Sequence, residues 1–212
     1  MKAMILAAGM GNRLRTLTDK PPKALIEIQG IPILEIVIRR LIKAGVQEII
    51  INLYHLPKMI EDFLNSKENF GVNIEFSRET KLLDTGGGLK KAANFFKDGH
   101  PFLLHNTDVL SDIDLTNLYR LHRESLAIAT LAVQKRSSSR YLLFDENGQL
   151  CGWESVLENR RQWAAQPVSE ARPLAFCGIH IISPEIFSKI TEEGAFSINQ
   201  MYLRLAGLGE KI

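Results

Sequence analysis

From residue 1 to about residue 125, short uninterrupted apolar runs alternate with segments of helical period, and this restricts the fold more than any other feature of the chain. Residues 4–8 form one such run, ended by Gly9, and residues 48–53 and 101–105 form two more. Apolar runs this short read as strands covered on both faces. Between them, Pro32 opens a segment with Ile33, Leu34, Val37, Leu41 and Ile42 at helical spacing, and Gly45 stops it. Pro57 opens a second, with Met59, Ile60, Phe63 and Leu64; residues 72–76 alternate like a strand, and residues 89–96 read as a helix. The order predicts an α/β fold, a largely parallel sheet with helices on both faces.

After residue 125 the pattern changes. Residues 127–133, 141–144, 149–153 and 175–182 read as strands with little helix between them, and Asn147-Gly148 is a strong hairpin signal. Short helices are expected near residues 184–190 and 197–205, and the polar, basic stretch 158–172 is expected to be a loop or flap. The whole reads as one domain over 1–212, with a first half over 1–125 and a second over 126–212.

Composition narrows the partners. A formal net charge of +2 is too small to argue for nucleic acid or an anionic membrane. No stretch approaches the roughly 20 apolar residues of a membrane helix, and Cys151 and Cys177 fit neither a metal-ligand spacing nor a disulfide framework. A reducing cytoplasm is the expected location.

In open parallel sheets, ligands bind beyond the carboxyl ends of the strands. The loops after Ala8, Leu53, Phe76 and His105 are therefore expected to converge on one cleft. The first is Leu6-Ala7-Ala8-Gly9-Met10-Gly11-Asn12-Arg13, a strand running into a glycine-containing turn whose backbone N–H groups can approach an anion. Two cations follow, Arg13 and Lys23, the latter after the stiff pair Pro21-Pro22. A guanidinium fork and a compact ammonium suit a triphosphate. A dinucleotide fingerprint would need a third glycine where Leu14 stands, and the Gly-Lys-Ser/Thr of a P-loop is absent.

Leu6 through Arg13, then Leu17-Thr18, then Pro22-Lys23-Ala24-Leu25 resembles the signature of the sugar-1-phosphate nucleotidyltransferases. The resemblance implies a Rossmann-like three-layer fold with a mixed sheet. It also implies transfer of a nucleotidyl group from a nucleoside triphosphate, UTP favoured, to a sugar 1-phosphate with release of pyrophosphate. By the same likeness Leu6, Ala7, Ala8, Gly9, Gly11 and Asn12 would wrap the nucleotide. Arg13 would contact the outgoing pyrophosphate, and Lys23 would sit near the reacting phosphate.

Asn106-Thr107-Asp108 ends the strand of residues 101–105 in a carboxylate, a hard oxygen ligand for Mg²⁺ that needs few protein partners. The family carries Asn-Gly-Asp here, so Thr107 replaces the usual glycine; Asp108 would be the catalytic metal ligand and Asn106 a nucleotide contact. Asp112-Ile113-Asp114 is a second acidic pair, in which Asp114 reads as the cap of a helix beginning at Leu115. Leu83-Asp84-Thr85-Gly86-Gly87-Gly88 is expected to precede a helix, its glycines allowing close approach of base and ribose. This form is most similar to the N-acetylmuramate-1-phosphate uridylyltransferases. It implies nucleotide contacts from Asp84, Thr85 and Gly86 and a sugar contact from Gly87.

On the sugar side, Asn52 and His55 follow the second buried strand, His55 reading better as a surface residue. Gly178 matches a family glycine that lies against the sugar; Arg160 and Arg161, which could reach a carboxylate or phosphate on the acceptor, read better as solvated loop charges. Family members finish with an aromatic and Asp-x-Gly segment bearing the second metal ligand. No Asp occurs here after Asp145, so the second half is expected to lack that segment. A non-catalytic nucleotide-binding relative, a molybdenum-cofactor nucleotidyltransferase and a glycosyltransferase remain as alternatives.

Overall fold

The structure is a computed structural model that describes residues 1–11 and 21–212; the expectations for Asn12, Arg13, Leu17 and Thr18 lie outside the described residues. Its strands are β1 (Lys2–Leu6), β2 (Glu27–Ile28), β3 (Ile31–Pro32), β4 (Glu48–Leu53), β5 (Asn73–Arg78), β6 (Phe102–Asn106), β7 (Ala129–Gln134), β8 (Arg140–Phe144), β9 (Leu150–Ser155), β10 (Arg160–Trp163) and β11 (Arg172–Ile182). The described α-helices are α1 (Ile33–Lys43), α2 (Pro57–Ser66), α3 (Asp84–Lys91), α4 (Leu115–Ser125) and α5 (Ile198–Gly207).

β6, β1, β4 and β5 lie side by side and parallel. β11 runs antiparallel to them, its last residues inserted between β6 and β7. Its first three residues, Arg172 to Leu174, pair instead with β8, from which β9 and β10 continue as an antiparallel ribbon. The expected mixed sheet is present, with the parallel strands in its first half.

Alternate residues along each strand feed two cores. On one face Met4, Phe102, Leu104 and Ile182 pack with Leu89 of α3 and Met201 and Tyr202 of α5. On the other, Ile5, Ile49, Ile51 and Ile181 pack with α1, α2 and α4 through residues such as Leu34, Ile60 and Leu118. α1 shows how the sequence sets an element. Its apolar stripe Leu34, Val37, Ile38 and Leu41 is buried, and Gly45 ends it in a left-handed conformation (φ +88°). The Gly45 N–H then bonds the Ile42 carbonyl and the Val46 N–H the Leu41 carbonyl, a Schellman closure.

The short helix expected near residues 184–190 is present, as a 3₁₀ helix over Pro184–Lys189. Two expectations need correction. The stretch 158–172 is no loop throughout: Arg160–Trp163 forms β10 against β9, because paired neighbours rather than its own apolarity hold it. The glycine run does not precede a helix but lies inside α3, which begins at Asp84.

Candidate active site

The carboxyl ends of β1, β4 and β6 meet at a cleft of about 270 Å³, walled by Leu6 to Gly9, Lys23, Asn52, Asp84, Thr85 and Asn106 to Asp108. Sequence reasoning brought these residues together from four separate loops. Lys23 starts a 3₁₀ turn, Lys23–Leu25, after the extended Pro22, and its ammonium pairs with the Asp108 carboxylate across the cleft. The pair sets a cation and a hard anion side by side, facing backbone.

Thr107 explains how a non-glycine serves in the turn below Asp108. Its φ is not left-handed, and it is buried. Its hydroxyl and its N–H both donate to the Leu6 carbonyl, at 2.6 and 3.2 Å. The Val109 N–H closes the turn on the Asn106 carbonyl at 3.3 Å. Thr107 thereby ties the acidic turn to the phosphate loop, while Asp108 remains at the cleft. Farther along, Arg40 of α1 donates to Ser111 Oγ at 2.8 Å and to the Ile113 carbonyl. Asp114 caps α4 by accepting from the Asn117 N–H at 2.9 Å, as expected.

Under this turn lies His105, which bonds the Asn106 carbonyl through Nδ1 at 2.7 Å and leaves Nε2 buried without a partner. Burial, assisted by the Arg40 charge, pushes its pKa down to about 4. The imidazole is neutral near pH 7 and acts as a strut.

Asn52, expected on the sugar side, stands in this inner cleft with both ends of its amide held. Oδ1 accepts from the Ala7 N–H at 2.7 Å, and Nδ2 donates to Glu79 at 2.8 Å. The other oxygen of Glu79 accepts from the Leu83 N–H at 2.9 Å. One buried chain of hydrogen bonds therefore fixes the phosphate loop, the ends of β4 and β5, and the entry to α3. Glu79 was not singled out from the sequence; a carboxylate just beyond an apolar strand was the available signal.

The glycines of α3 answer to packing. A Cβ on Gly86 would stand 2.3 Å from the Phe196 ring, and one on Gly87 would stand 2.5 Å from the Gly194 carbonyl oxygen. The Gly86 and Gly87 N–H groups donate to the Phe196 carbonyl at 2.9 and 3.4 Å. A Cβ on Gly88 would crowd Asn52. Gly178 (φ +69°) lies in a bulge of β11 and packs on the Asn106 side chain, at 2.6 Å from the place of a Cβ.

Asp84, Thr85 and Asn106 also border a second, larger compartment of about 580 Å³, roofed by β8–β10 and closed by α5. Its walls include Arg140, Trp153, Arg160, Gln162, His180 and Asn199. His180 bonds the Tyr202 hydroxyl at 2.8 Å, and complete burial pushes its pKa down to about 3. Arg160 is at this wall; Arg161 points to the other face and pairs with Glu154 at 2.6 Å. Sequence reasoning missed Arg140, Trp153, Gln162 and Asn199, whose common placement depends on strand register.

Among the described residues no cluster of three or more His, Cys, Asp or Glu side chains is placed to hold a metal by itself. Among the described residues, Asp84 and Asp108 line the cleft, and one or two carboxylates are enough for a Mg²⁺ ion that completes its shell with water and substrate phosphate. No described helix is long and apolar enough to cross a membrane.

Residues 2–149 match the model of the nucleotidyl transferase family. The chain is 38% identical to the N-acetylmuramate alpha-1-phosphate uridylyltransferase of Neisseria meningitidis, over 90% of this chain and 78% of that protein. It is 35% identical to the UTP–glucose-1-phosphate uridylyltransferase of Synechocystis and 41% identical to the mannose-1-phosphate guanyltransferase of Gibberella zeae, each over 90% of this chain and 51% of the relative. The chain thus spans about half the length of those two. Its fold matches a crystal structure of a putative glucose-1-phosphate thymidylyltransferase from Bacillus anthracis, with TM-score 0.79, 19% identity and coverage of 96% of this chain and 83% of that one. Together with the cleft at the ends of β1, β4 and β6, these likenesses establish that the chain belongs to the nucleotidyl transferase family, among its sugar-1-phosphate nucleotidyltransferases.

Proposed function

We infer that the protein transfers a nucleotidyl group from a nucleoside triphosphate, UTP by preference, to a sugar 1-phosphate. The observation that carries this is the Lys23–Asp108 pair set across a cleft of backbone from Ala7 to Gly9, opening into a second polar compartment. The first volume suits a nucleotide's phosphates and the second a sugar. An acceptor phosphate oxygen attacks the α-phosphorus in line; that P–O bond forms as the α–β bridging bond breaks, and the electron pair leaves with pyrophosphate. Lys23 neutralises charge on the phosphates, and the Ala8–Gly9 backbone orients them; Arg13 takes the pyrophosphate on the strength of the motif. Mg²⁺ held by Asp108 would supply further charge neutralisation. Such chemistry is mainly positioning and electrostatics, with no nucleophilic side chain required.

Pyrophosphate release is the test, with UTP, GTP, CTP and dTTP against a panel of sugar 1-phosphates. UTP should give the highest kcat/KM, and a preference for GTP would remove the base assignment. EDTA should stop turnover. Asp108→Asn should lower kcat by about 10²–10³-fold, the usual cost of losing one stabilising group in a preorganised site, with an unchanged unfolding midpoint. Near-normal turnover in that variant would discard the metal assignment.

A further inference from the structure

The stretch that carries Asp108 from the end of β6 to the start of α4 has few bonds of its own. At one end the Val109 N–H meets the Asn106 carbonyl, and at the other Asp114 caps α4. Between them Arg40 of α1 donates to Ser111 Oγ at 2.8 Å and to the Ile113 carbonyl. Among the described residues, no other hydrogen bond reaches residues 110–113. Val109 and Ile113 pack on the core below, whereas Leu110 and Asp112 are exposed. The Arg40 side chain is half-buried, and both its hydrogen bonds go to neutral oxygens, a hydroxyl and a carbonyl. A guanidinium drawn partly out of water toward such acceptors serves placement rather than charge pairing.

The same helix anchors the other half of the Lys23–Asp108 pair. Ile33, the first residue of α1, donates to the Ile26 carbonyl at 2.9 Å, just beyond the Lys23–Leu25 turn. Ala24 of that turn lies in one core with Leu34 and Val37. One rigid element therefore holds the Lys23 turn at its start and the Asp108 loop about two turns later.

We propose that Arg40 is a positioning residue: through Ser111 and Ile113 it sets the Asp108 carboxylate against Lys23 for a metal–nucleotide complex. The inference rests on the reading of Asp108 as the metal ligand. Arg40 is not among the residues that wall the cleft, so it acts through the loop and touches no substrate. A loop tied only at its ends leaves Asp108 many placements, and binding the metal would have to remove that freedom. Arg40 removes it beforehand, as groups that orient a metal ligand do.

Mn²⁺ affinity reads the placement of Asp108, measured by water-proton relaxation on protein saturated with the α,β-methylene analogue of the triphosphate it uses. Arg40→Ala should weaken Mn²⁺ by about tenfold, the lower end of what losing an orienting group costs. The nucleotide KM at saturating Mn²⁺ should stay within about twofold, since the phosphate loop is untouched. Guanidinium ion at tens of millimolar should restore part of the lost affinity in Arg40→Ala and leave the wild type unchanged. Arg40→Lys should be intermediate, an ammonium reaching one of the two oxygens. Arg39→Ala, the neighbour on α1 that pairs with Glu35 at 2.8 Å, should leave Mn²⁺ affinity unaltered. Wild-type Mn²⁺ affinity in Arg40→Ala would overturn the proposal, and so would a loss that follows a fallen unfolding midpoint and ignores guanidinium. If Arg40→Ala does not fold, Ser111→Ala decides: about threefold weaker Mn²⁺ is expected for one lost hydrogen bond, and no change overturns the tether. Asp108→Asn binding Mn²⁺ as tightly as the wild type would overturn the metal reading, and the positioning role with it.

Discussion

The two compartments are built on different terms. Around the inner cleft, the chain is positioned by its own main chain: Thr107 on the Leu6 carbonyl, Asn52 on the Ala7 N–H, Glu79 on the Leu83 N–H. Around the outer one, side chains of a three-stranded ribbon and of α5 face the cavity, and the ribbon joins β11 through three residue pairs. The contrast fits the division of labour proposed above, phosphates in the inner cleft and acceptor in the outer compartment. Phosphate chemistry needs donors fixed to a fraction of an ångström, which buried backbone hydrogen bonds provide. Acceptor choice needs exchangeable groups, which half-exposed side chains on a register provide.

Where the halves join, His105 on β6, His180 on β11 and His122 on α4 are all buried. His122 bonds Thr130 and Ser183 at 2.9 Å, and burial pushes its pKa down to about 4. All three have folded pKa values depressed below the ordinary 6.5. The unfolded chain therefore takes up protons first as pH falls. Stability is fully present above about pH 6.5 and is lost toward pH 4, by about 1.4 kcal/mol per pH unit for each histidine. Urea midpoints measured from pH 7 to 4 should fall steeply; a flat profile would mean the junction is not closed around neutral imidazoles. The next effect in size is at the same junction. Gly87→Ala should cost about 3 kcal/mol, because its Cβ meets a backbone carbonyl that cannot rotate away, and a wild-type unfolding midpoint would separate α3 from the 194–198 segment. The smallest effect sharpens the contrast: Gln162→Ala, on the open ribbon face, should change stability by less than about 0.5 kcal/mol. A larger loss would mean that Gln162 shares in the packing that buries Leu142, Phe144 and Leu150 of the ribbon in the core.

Legibility in the sequence divided along the same line. Apolar runs disclosed β1, β4 and β6, since a strand buried on both faces must be written in continuous hydrophobic residues. Asp108 was legible because such a run leads into Asn106-Thr107-Asp108, and Lys23 because it follows the stiff pair Pro21-Pro22 in the family's motif. β10 was not, because Arg160-Arg161-Gln162-Trp163 carries no apolar alternation and is a strand only through β9. The shared place of Arg140 and Arg160 in the wall of the outer compartment was equally hidden, since only the register aligns them. The start of α3 was misjudged because three glycines disfavour a helix on propensity alone, whereas tight packing on the 194–198 segment requires them. Propensity is local, and the contact that overrode it is more than a hundred residues away.

The brief suture of the ribbon to β11 has a practical meaning for engineering. Three residue pairs at Arg172 to Leu174 join it to the sheet, and the parallel strands β1, β4 and β6 pair with none of it. A ribbon exchanged at that suture has to bring its own match to α5 and the C-terminal residues, because Leu142, Phe144 and Leu150 lie in one core with Tyr202 and Leu205 and the Leu150 N–H bonds the Ile212 carbonyl at 2.9 Å.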